Sequence, residues 1–405
     1  MTDVDARGAA TGTGDRSRPR AALLALCLTQ ITSWGIVYYA FPVLNPRITA
    51  DTGWSTTATT GAFSAALVVS ALAGIPVGRL LDRRGPRAVM TTGSLLGTGA
   101  VLGMAWAPSL SAFTAAWLLA GVAMAATFYH PAFAAVTRWW GEDRIRALTI
   151  VTLAGGLAST VFAPLTATLA EHLSWRATYT VLAAVLGAVT VPAHALALRA
   201  PWPAVPLRSA QQPDDSGSVA RSRPFLVLAS ALTLNGFAMY AVVIALVPLL
   251  TERGASTTAA AWALGLGGAG QTLGRTLYAC LARHTGVTTR TVALITAGGA
   301  TTLALAVVPG PYPLLLLLAI TAGTVRGNLT LLQATAVTDR WGTTHYGRLS
   351  GLLAAPVTVA GALAPFAGAA IAGVLGGYPA LFLVLAGISV GAGALAVAGR
   401  SCKSP

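Results

Sequence analysis

The chain has 405 residues, of which 55% are hydrophobic and only 9% charged, with a mean hydropathy of +0.69. A soluble domain usually carries about 25% charged residues to keep its surface wet, so a water-exposed globule is excluded and the chain must face lipid. The formal charge of +14 does not mark a nucleic-acid surface, because the 26 basic residues, all Arg except Lys403, mostly sit in short connections between apolar runs.

The first 20 residues are polar and Gly/Thr-rich and read as a disordered tail. Apolar stretches of about 20 residues then recur, each long enough to span a bilayer as a helix. They fall at Ala21–Val43, Thr57–Leu80, Ala88–Trp106, Leu110–Val136, Leu148–Ala170 and Tyr179–Leu198. The segment 199–224 is the one long hydrophilic connection inside the chain and reads as a linker. Six more follow at Phe225–Leu250, Thr258–Leu281, Thr291–Val308, Pro313–Val337, Leu349–Gly373 and Tyr378–Val397, ahead of a short tail, 399–405. The expected fold is an all-α membrane protein of twelve helices, with six-helix bundles at 21–198 and 225–398.

Arginines alternate between loops. One set of loops holds Arg79, Arg83, Arg84, Arg87, Arg138, Arg144, Arg146, Arg199, Arg208, Arg221, Arg223, Arg283, Arg290, Arg340 and Arg348, while the opposite set holds only Arg47, Arg176 and Arg253. The positive-inside rule then places both termini and the linker in the cytoplasm. The halves repeat at an offset of about 201 residues. Ser55-Thr56-Thr57-Ala58 recurs as Ser256-Thr257-Thr258-Ala259, Gly35 and Tyr39 match Gly236 and Tyr240, and Ala163-Pro164 matches Ala364-Pro365. Such repeats are used by alternating-access carriers, with the ligand between the halves near the midplane.

The loop after the second span reads Gly78-Arg79-Leu80-Leu81-Asp82-Arg83-Arg84-Gly85-Pro86-Arg87. It resembles the GxxxDRxGRR signature of the major facilitator superfamily, with Gly78, Asp82, Arg83 and Gly85 in place. The resemblance implies a secondary transporter in which this loop latches the cytoplasmic side. Gly78 is expected at a close helix approach, Asp82 as a pairing acid, and Gly85 at the turn. The second half keeps only a degenerate copy, with Ala282 where the acid would stand. Ser33-Trp34-Gly35-Ile36-Val37-Tyr38-Tyr39, Gly53-Trp54-Ser55 and Gln271-Thr272-Leu273-Gly274-Arg275 are similar to the monocarboxylate-porter and oxalate/formate-exchanger branch. That branch places an acid and an Arg in the eighth helix; here Arg275 is kept and Gln271 replaces the acid.

Two arginines, Arg275 and Arg326, lie inside spans, and no carboxylate does. A mid-bilayer charge costs roughly 2.5–3.5 kcal/mol, and Arg cannot shed its proton, so each needs a wet cavity or a partner. An anionic substrate supplies one; a contact to helix-end carbonyls is the structural alternative for Arg326, and snorkelling for Arg275. Trp34, Tyr38, Tyr39, Tyr129, Asn235, Tyr240 and Gln271 are candidates to complete the site, and His130 is the candidate proton carrier.

Cys27, Cys280 and Cys402 form no CxxC or Cys/His cluster, so no metal or cofactor is expected. No Walker loop or catalytic triad suggests an enzyme. The expected protein is a monomeric carrier of a small organic anion, with a proton as candidate co-substrate, in a bacterial cytoplasmic membrane. The alternative is efflux of a drug-like or natural-product compound.

Overall fold

The computed structural model describes residues 19–140, 143–202, 216–341 and 346–399. Most of the expected tail (1–18), the centre of the linker (203–215) and the last six residues (400–405) lie outside them. Twelve long helices follow one another: α1 (Arg20–Thr52), α2 (Thr56–Arg84), α3 (Pro86–Ala105), α4 (Leu110–Trp140), α5 (Arg146–His172), α6 (Trp175–Ala197), α7 (Arg223–Glu252), α8 (Thr257–His284), α9 (Val287–Val307), α10 (Tyr312–Thr335), α11 (Tyr346–Leu375) and α12 (Tyr378–Ala398). Among the described residues, eleven are long and apolar enough to cross a membrane. The exception is α8, which has the length, at 28 residues, but is diluted by Gly, Thr, Gln271 and Arg275.

Three helices depart from simple spans. α1 runs to Thr52 rather than ending at Val43, and contains a π-helical turn at Gly35–Tyr39. α4 breaks at Phe128, which is extended, and resumes at Tyr129. α5 is interrupted at Leu157, between Arg144–Gly156 and Ala158–His172. Single-turn π-bulges and breaks of this kind concentrate at functional sites.

The internal repeat is visible in packing. α2 packs on α4 as α8 does on α10, α3 on α6 as α9 on α12, and α1 on α5 as α7 on α11. The repeated sequence signature has a local cause. Gly53 and Gly254 take positive φ (73° and 86°), and Ser55 and Ser256 then cap α2 and α8 by accepting from the amides of Ala58 and Ala259, both at 3.1 Å.

The α8–α10 contact is a glycine seam. A Cβ at Gly323 would run into the main chain of Gly267, one at Gly327 into Gln271, and one at Gly274 into Thr324. The two backbones therefore touch directly, as small residues allow inside a bilayer. This seam fixes Arg326 on α10 beside Gln271 and Arg275 on α8.

The halves meet through α5 against α8 and α2 against α11. Among the described residues the second pair is joined by one hydrogen bond, toward the arginine-poor end, where the Phe366 amide donates to Ser64 Oγ at 3.0 Å. Glu171 of α5 accepts from Thr258 of α8 at the same end. Further along α2 and α11, Gly74, Gly78 and Gly351 have nothing within 4 Å of a Cβ position. The halves are thus closed at the arginine-poor end and parted at the arginine-rich one. Gly78 does not sit at a close helix approach, contrary to the sequence expectation, because the halves are separated there. The arginine-poor loops are used structurally: Arg176 donates to Ala105 O and Ala107 O (3.0 and 2.9 Å), Arg253 to Ala306 O (2.6 Å), and Arg47 to Ala170 O.

Gly323→Leu is expected to lower stability by at least about 1–3 kcal/mol through overpacking, whereas Gly78→Ala, in open space, changes it by less than about 0.5 kcal/mol. Thermal unfolding of the detergent-solubilised protein decides; equal shifts would contradict the seam.

Candidate functional site

Between the halves, near the middle of the helices, Tyr38 and Tyr39 of α1, Tyr129 of α4, Tyr240 of α7, Arg275 of α8 and Arg326 of α10 lie within electrostatic reach of one another. Arg326 is 8% exposed, and the titratable side chains within its electrostatic reach are Tyr39, Tyr38, Arg275 and Tyr240, with no carboxylate among the described ones. Among the described residues the one Arg–carboxylate pair is Arg290–Asp339, at 2.6 Å, and neither residue is among the neighbours of Arg326 named above.

Each tyrosine is placed by a specific feature. The π-turn aims Tyr38 and Tyr39, and a Cβ at its first residue, Gly35, would collide with the Phe162 ring of α5. Tyr240 lies over Gly361 of α11, where a Cβ would come within 2.7 Å of the ring. Tyr129 starts the second part of α4, next to the break. The buried Tyr38 hydroxyl has no hydrogen-bond partner among the described residues, which is unusual for a group so far from bulk water.

Trp34 forms the aromatic wall. It stacks on Phe128 (centroids 4.1 Å, 24°) and lies 5.3 Å from Tyr38 and 5.2 Å from Tyr129. Its Nε1 donates to Gln30 Oε1 at 3.2 Å, and Gln30 Nε2 donates to Thr127 O at 2.7 Å. The buried Gln30 thus satisfies a carbonyl at the α4 break and orients the indole. Sequence reasoning missed it; an amide in an apolar run one turn before Trp34 was the available signal.

Arg275 does not stand free. Its Nη1 donates to Thr152 O of α5, across the interface, and its charge acts on the nearby Tyr129 phenol. Gly155 and Gly156 make room for this: a Cβ at Gly155 would strike the Tyr129 hydroxyl, and one at Gly156 would lie 3.0 Å from Arg275 Nη1.

The remaining candidates separate. Gln271 is buried in the α8–α10 seam beside Gly327. Asn235 is outside the tyrosine cluster: it lines a cavity of about 30 Å³ with Thr302, Ser389 and the Arg326 side chain, and its Nδ2 has no partner there. His130 is exposed and takes no part in the Tyr–Arg network. At the arginine-rich end Arg83 is exposed, and Gly85 (φ 75°) ends α2 with Trp202 packed over it. The Asp82 side chain lies outside what the structure describes. In the second half, Arg290 bonds Ala282 O (3.4 Å), Thr285 O (3.1 Å) and Asp339, holding the corresponding loop by a cation where the first half has its acid.

Comparison with known proteins agrees with this architecture. The profile described as Major Facilitator Superfamily matches residues 26–309 and 226–403, and the chain belongs to that family of membrane transporters. Monocarboxylate transporter 13 of Rattus norvegicus is 28% identical over 324 residues, 77% of this chain and 73% of that protein. The Bos taurus protein of the same name is 32% identical over 210 residues, but the match spans about half of each, 50% of this chain and 47% of that one. Among solved structures, the nucleoside transporter NupG superposes with a TM-score of 0.75 at 14% identity, over 96% of this chain and 100% of that one. A bacterial homolog of the human lysosomal transporter Spinster, in an inward-facing, unoccupied conformation, gives 0.76 at 14% identity, over 96% and 98%. At such identities the structural likeness shows the fold.

Gln30→Leu is expected to leave the Thr127 carbonyl and the Trp34 indole without partners and to cost about 1–3 kcal/mol. Thermal unfolding measures the cost, and a red-edge or quenching change in Trp emission reports the freed indole; a variant matching wild type in both would rule out this anchor.

Proposed function

We propose that the chain is a secondary transporter of a small organic anion, with a monocarboxylate as the class, working by alternating access between its two six-helix halves (21–198 and 225–398). The observation that carries this is the pair of mid-span arginines, Arg326 and Arg275, whose titratable neighbours are tyrosines, with no carboxylate among the described ones. A guanidinium kept in low dielectric is stabilised most by a bound anion, and its planar fork suits a carboxylate. The likeness to monocarboxylate transporters named above supports the same class.

Arg326 is the primary anchor and Arg275 the second, with Tyr38, Tyr39, Tyr129, Tyr240 and Trp34 shaping the pocket. The Tyr38 hydroxyl, lacking a protein partner, is available to a carboxylate oxygen. The Gly78–Gly85 loop, with Asp82 and Arg83, serves as the gate at the arginine-rich end. With Gln271 in place of the acid, coupling runs through the substrate's own proton or through anion exchange, since His130 stands outside the network. The positive-inside rule places the arginine-rich end in the cytoplasm of a bacterial cell membrane, so the parted halves correspond to an inward-facing state.

Hydrogen bonds to charged groups are worth about 1.5–3 kcal/mol, so Arg326→Ala is expected to weaken carboxylate affinity on the order of 10- to 100-fold, with only partial rescue by Lys. Radiolabelled counter-flow in proteoliposomes measures it. A folded Arg326→Ala protein with wild-type affinity would shift the assignment to efflux of an uncharged or cationic compound.

For orientation, cysteines placed at 47–55, 171–177 and 252–256 are expected to react with impermeant maleimide from outside intact cells, and those at 83–87 not. The reverse pattern would invert the topology.

A further inference from the structure

The glycine pair Gly155-Gly156 of α5 has a role that neither the family relationship nor the carboxylate reading assigns. We infer that Thr152, Gly155 and Gly156 of α5, together with Tyr129 of α4, are positioning residues for Arg275. They form a dock on the opposite half that holds its guanidinium when the arginine-rich end is parted. The inference deepens the reading above, because the second step, a carboxylate drawing Arg275 off this dock, rests on the substrate being an anion.

The geometry is specific. Arg275 belongs to the second half, yet its Nη1 donates to the Thr152 carbonyl of the first. Thr152 lies one turn before the point where the helix stops at Gly156 and Leu157 N turns back to Ala154 O at 2.9 Å. A carbonyl oxygen has two lone pairs, so the Thr152 carbonyl can accept from an outside donor beside its own helical amide, provided the donor can reach it. The space for that donor exists only because two glycines stand together: any side chain at 155 would displace the Tyr129 hydroxyl, and any at 156 would press on Arg275 Nη1 and, at 2.8 Å, on Thr272 Oγ1. Tyr129 completes the dock by setting its hydroxyl over Gly155, next to Gly156 where Arg275 Nη1 lies, within electrostatic reach of the cation. Arg275 Nε remains buried and without a partner, so the dock leaves one donor of the guanidinium fork unused.

That last feature makes the dock displaceable. A neutral carbonyl engages one edge of the cation, whereas a carboxylate can accept from two donors at once and also compensates the charge. Anion binding then removes a cross-half contact while adding ligand contacts to both halves. Such a ligand shifts the population by its different affinity for the two states. Arg275 is in this account a residue whose partner changes between states, and the α5 glycines set which state holds it.

The test follows the distance between spin labels at Leu80 of α2 and Leu352 of α11, exposed positions at the parted end, in the full-length protein without ligand. Gly156→Ala is expected to move the equilibrium toward the state closed at this end on the order of 10-fold, the loss of one charged hydrogen bond. In an Arg275→Gln background the same substitution is expected to add less than about twofold, because the group it evicts is gone. An equal shift in both backgrounds means that Gly156 acts by packing alone and overturns the dock, as does an unchanged distribution. Should Gly156→Ala fail to fold, Tyr129→Phe keeps the ring and removes only the hydroxyl dipole beside the cation; it is expected to shift the same equilibrium about threefold, and again only when Arg275 is present. No shift overturns the inference. Lactate, added as a probe carboxylate, is expected to move wild type and not Arg275→Gln. A wild-type distribution insensitive to lactate overturns the displacement step, while the ligand-free arms still decide the dock independently of the anion reading.

Discussion

A guanidinium cannot give up its proton inside a membrane protein, and the middle of this molecule contains two of them. Arg326 and Arg275 therefore dictate what surrounds them. The described structure answers with tyrosine hydroxyls, a main-chain carbonyl and no carboxylate, which is the arrangement expected when the compensating charge is meant to arrive and leave. A resident acid would neutralise the site permanently and compete with an anionic ligand for the same donors.

Holding those cations in place demands unusual closeness between helices. α8 and α10 approach until main chain meets main chain, through Gly267, Gly270 and Gly274 on one side and Gly323 and Gly327 on the other. The glycines that let α8 sit so close, with its threonines, Gln271 and Arg275, also make it the one long helix among the described residues that is not apolar enough to mark it as a span. Its polarity is tolerable because its neighbours on α10 and α5 cover it on both sides. Hydropathy and close packing thus pull in opposite directions along one segment, and packing wins.

Much of the fold was legible in the sequence because bilayer thickness and the arginine alternation are strong one-dimensional signals. The repeat at an offset of 201 was legible for a local reason, since Gly53 with Ser55 and Gly254 with Ser256 build the same turn and helix cap. The partnership of Tyr39, Tyr240, Arg275 and Arg326 could also be anticipated from charge burial. What could not be read was the conformation. Gly78 belongs to a recognisable loop signature, but whether it touches another helix depends on which end of the molecule is open. Asn235 and His130 show a second limit: both are polar residues in apolar runs, and only three-dimensional placement separates the one in a closed side cavity from the one exposed outside the network. The α5 dock was invisible because its chemistry comes from a main-chain carbonyl, which no residue type announces.

The two halves share their scaffold and divide their chemistry. Positions that repeat between them, such as the caps and Ala163-Pro164 against Ala364-Pro365, are structural. Apart from Tyr39 and Tyr240, the site positions named here do not repeat: the partner of Arg275 at the same offset is Gly74, that of Arg326 is Ala125, and that of Trp34 is Asn235. The first half contributes the aromatic wall of Trp34, Phe128, Tyr38, Tyr39 and Tyr129, and the second contributes both cations. A ligand with a carboxylate at one end and an apolar body at the other would satisfy the two halves separately and gain its full interaction only when both close around it. Empty, the halves have Arg275 and its dock as a polar contact at mid-span; filled, they have the ligand. A duplicated fold needs this divergence to work as a carrier, because two identical halves would each bind the same end of a substrate and give it no reason to draw them together.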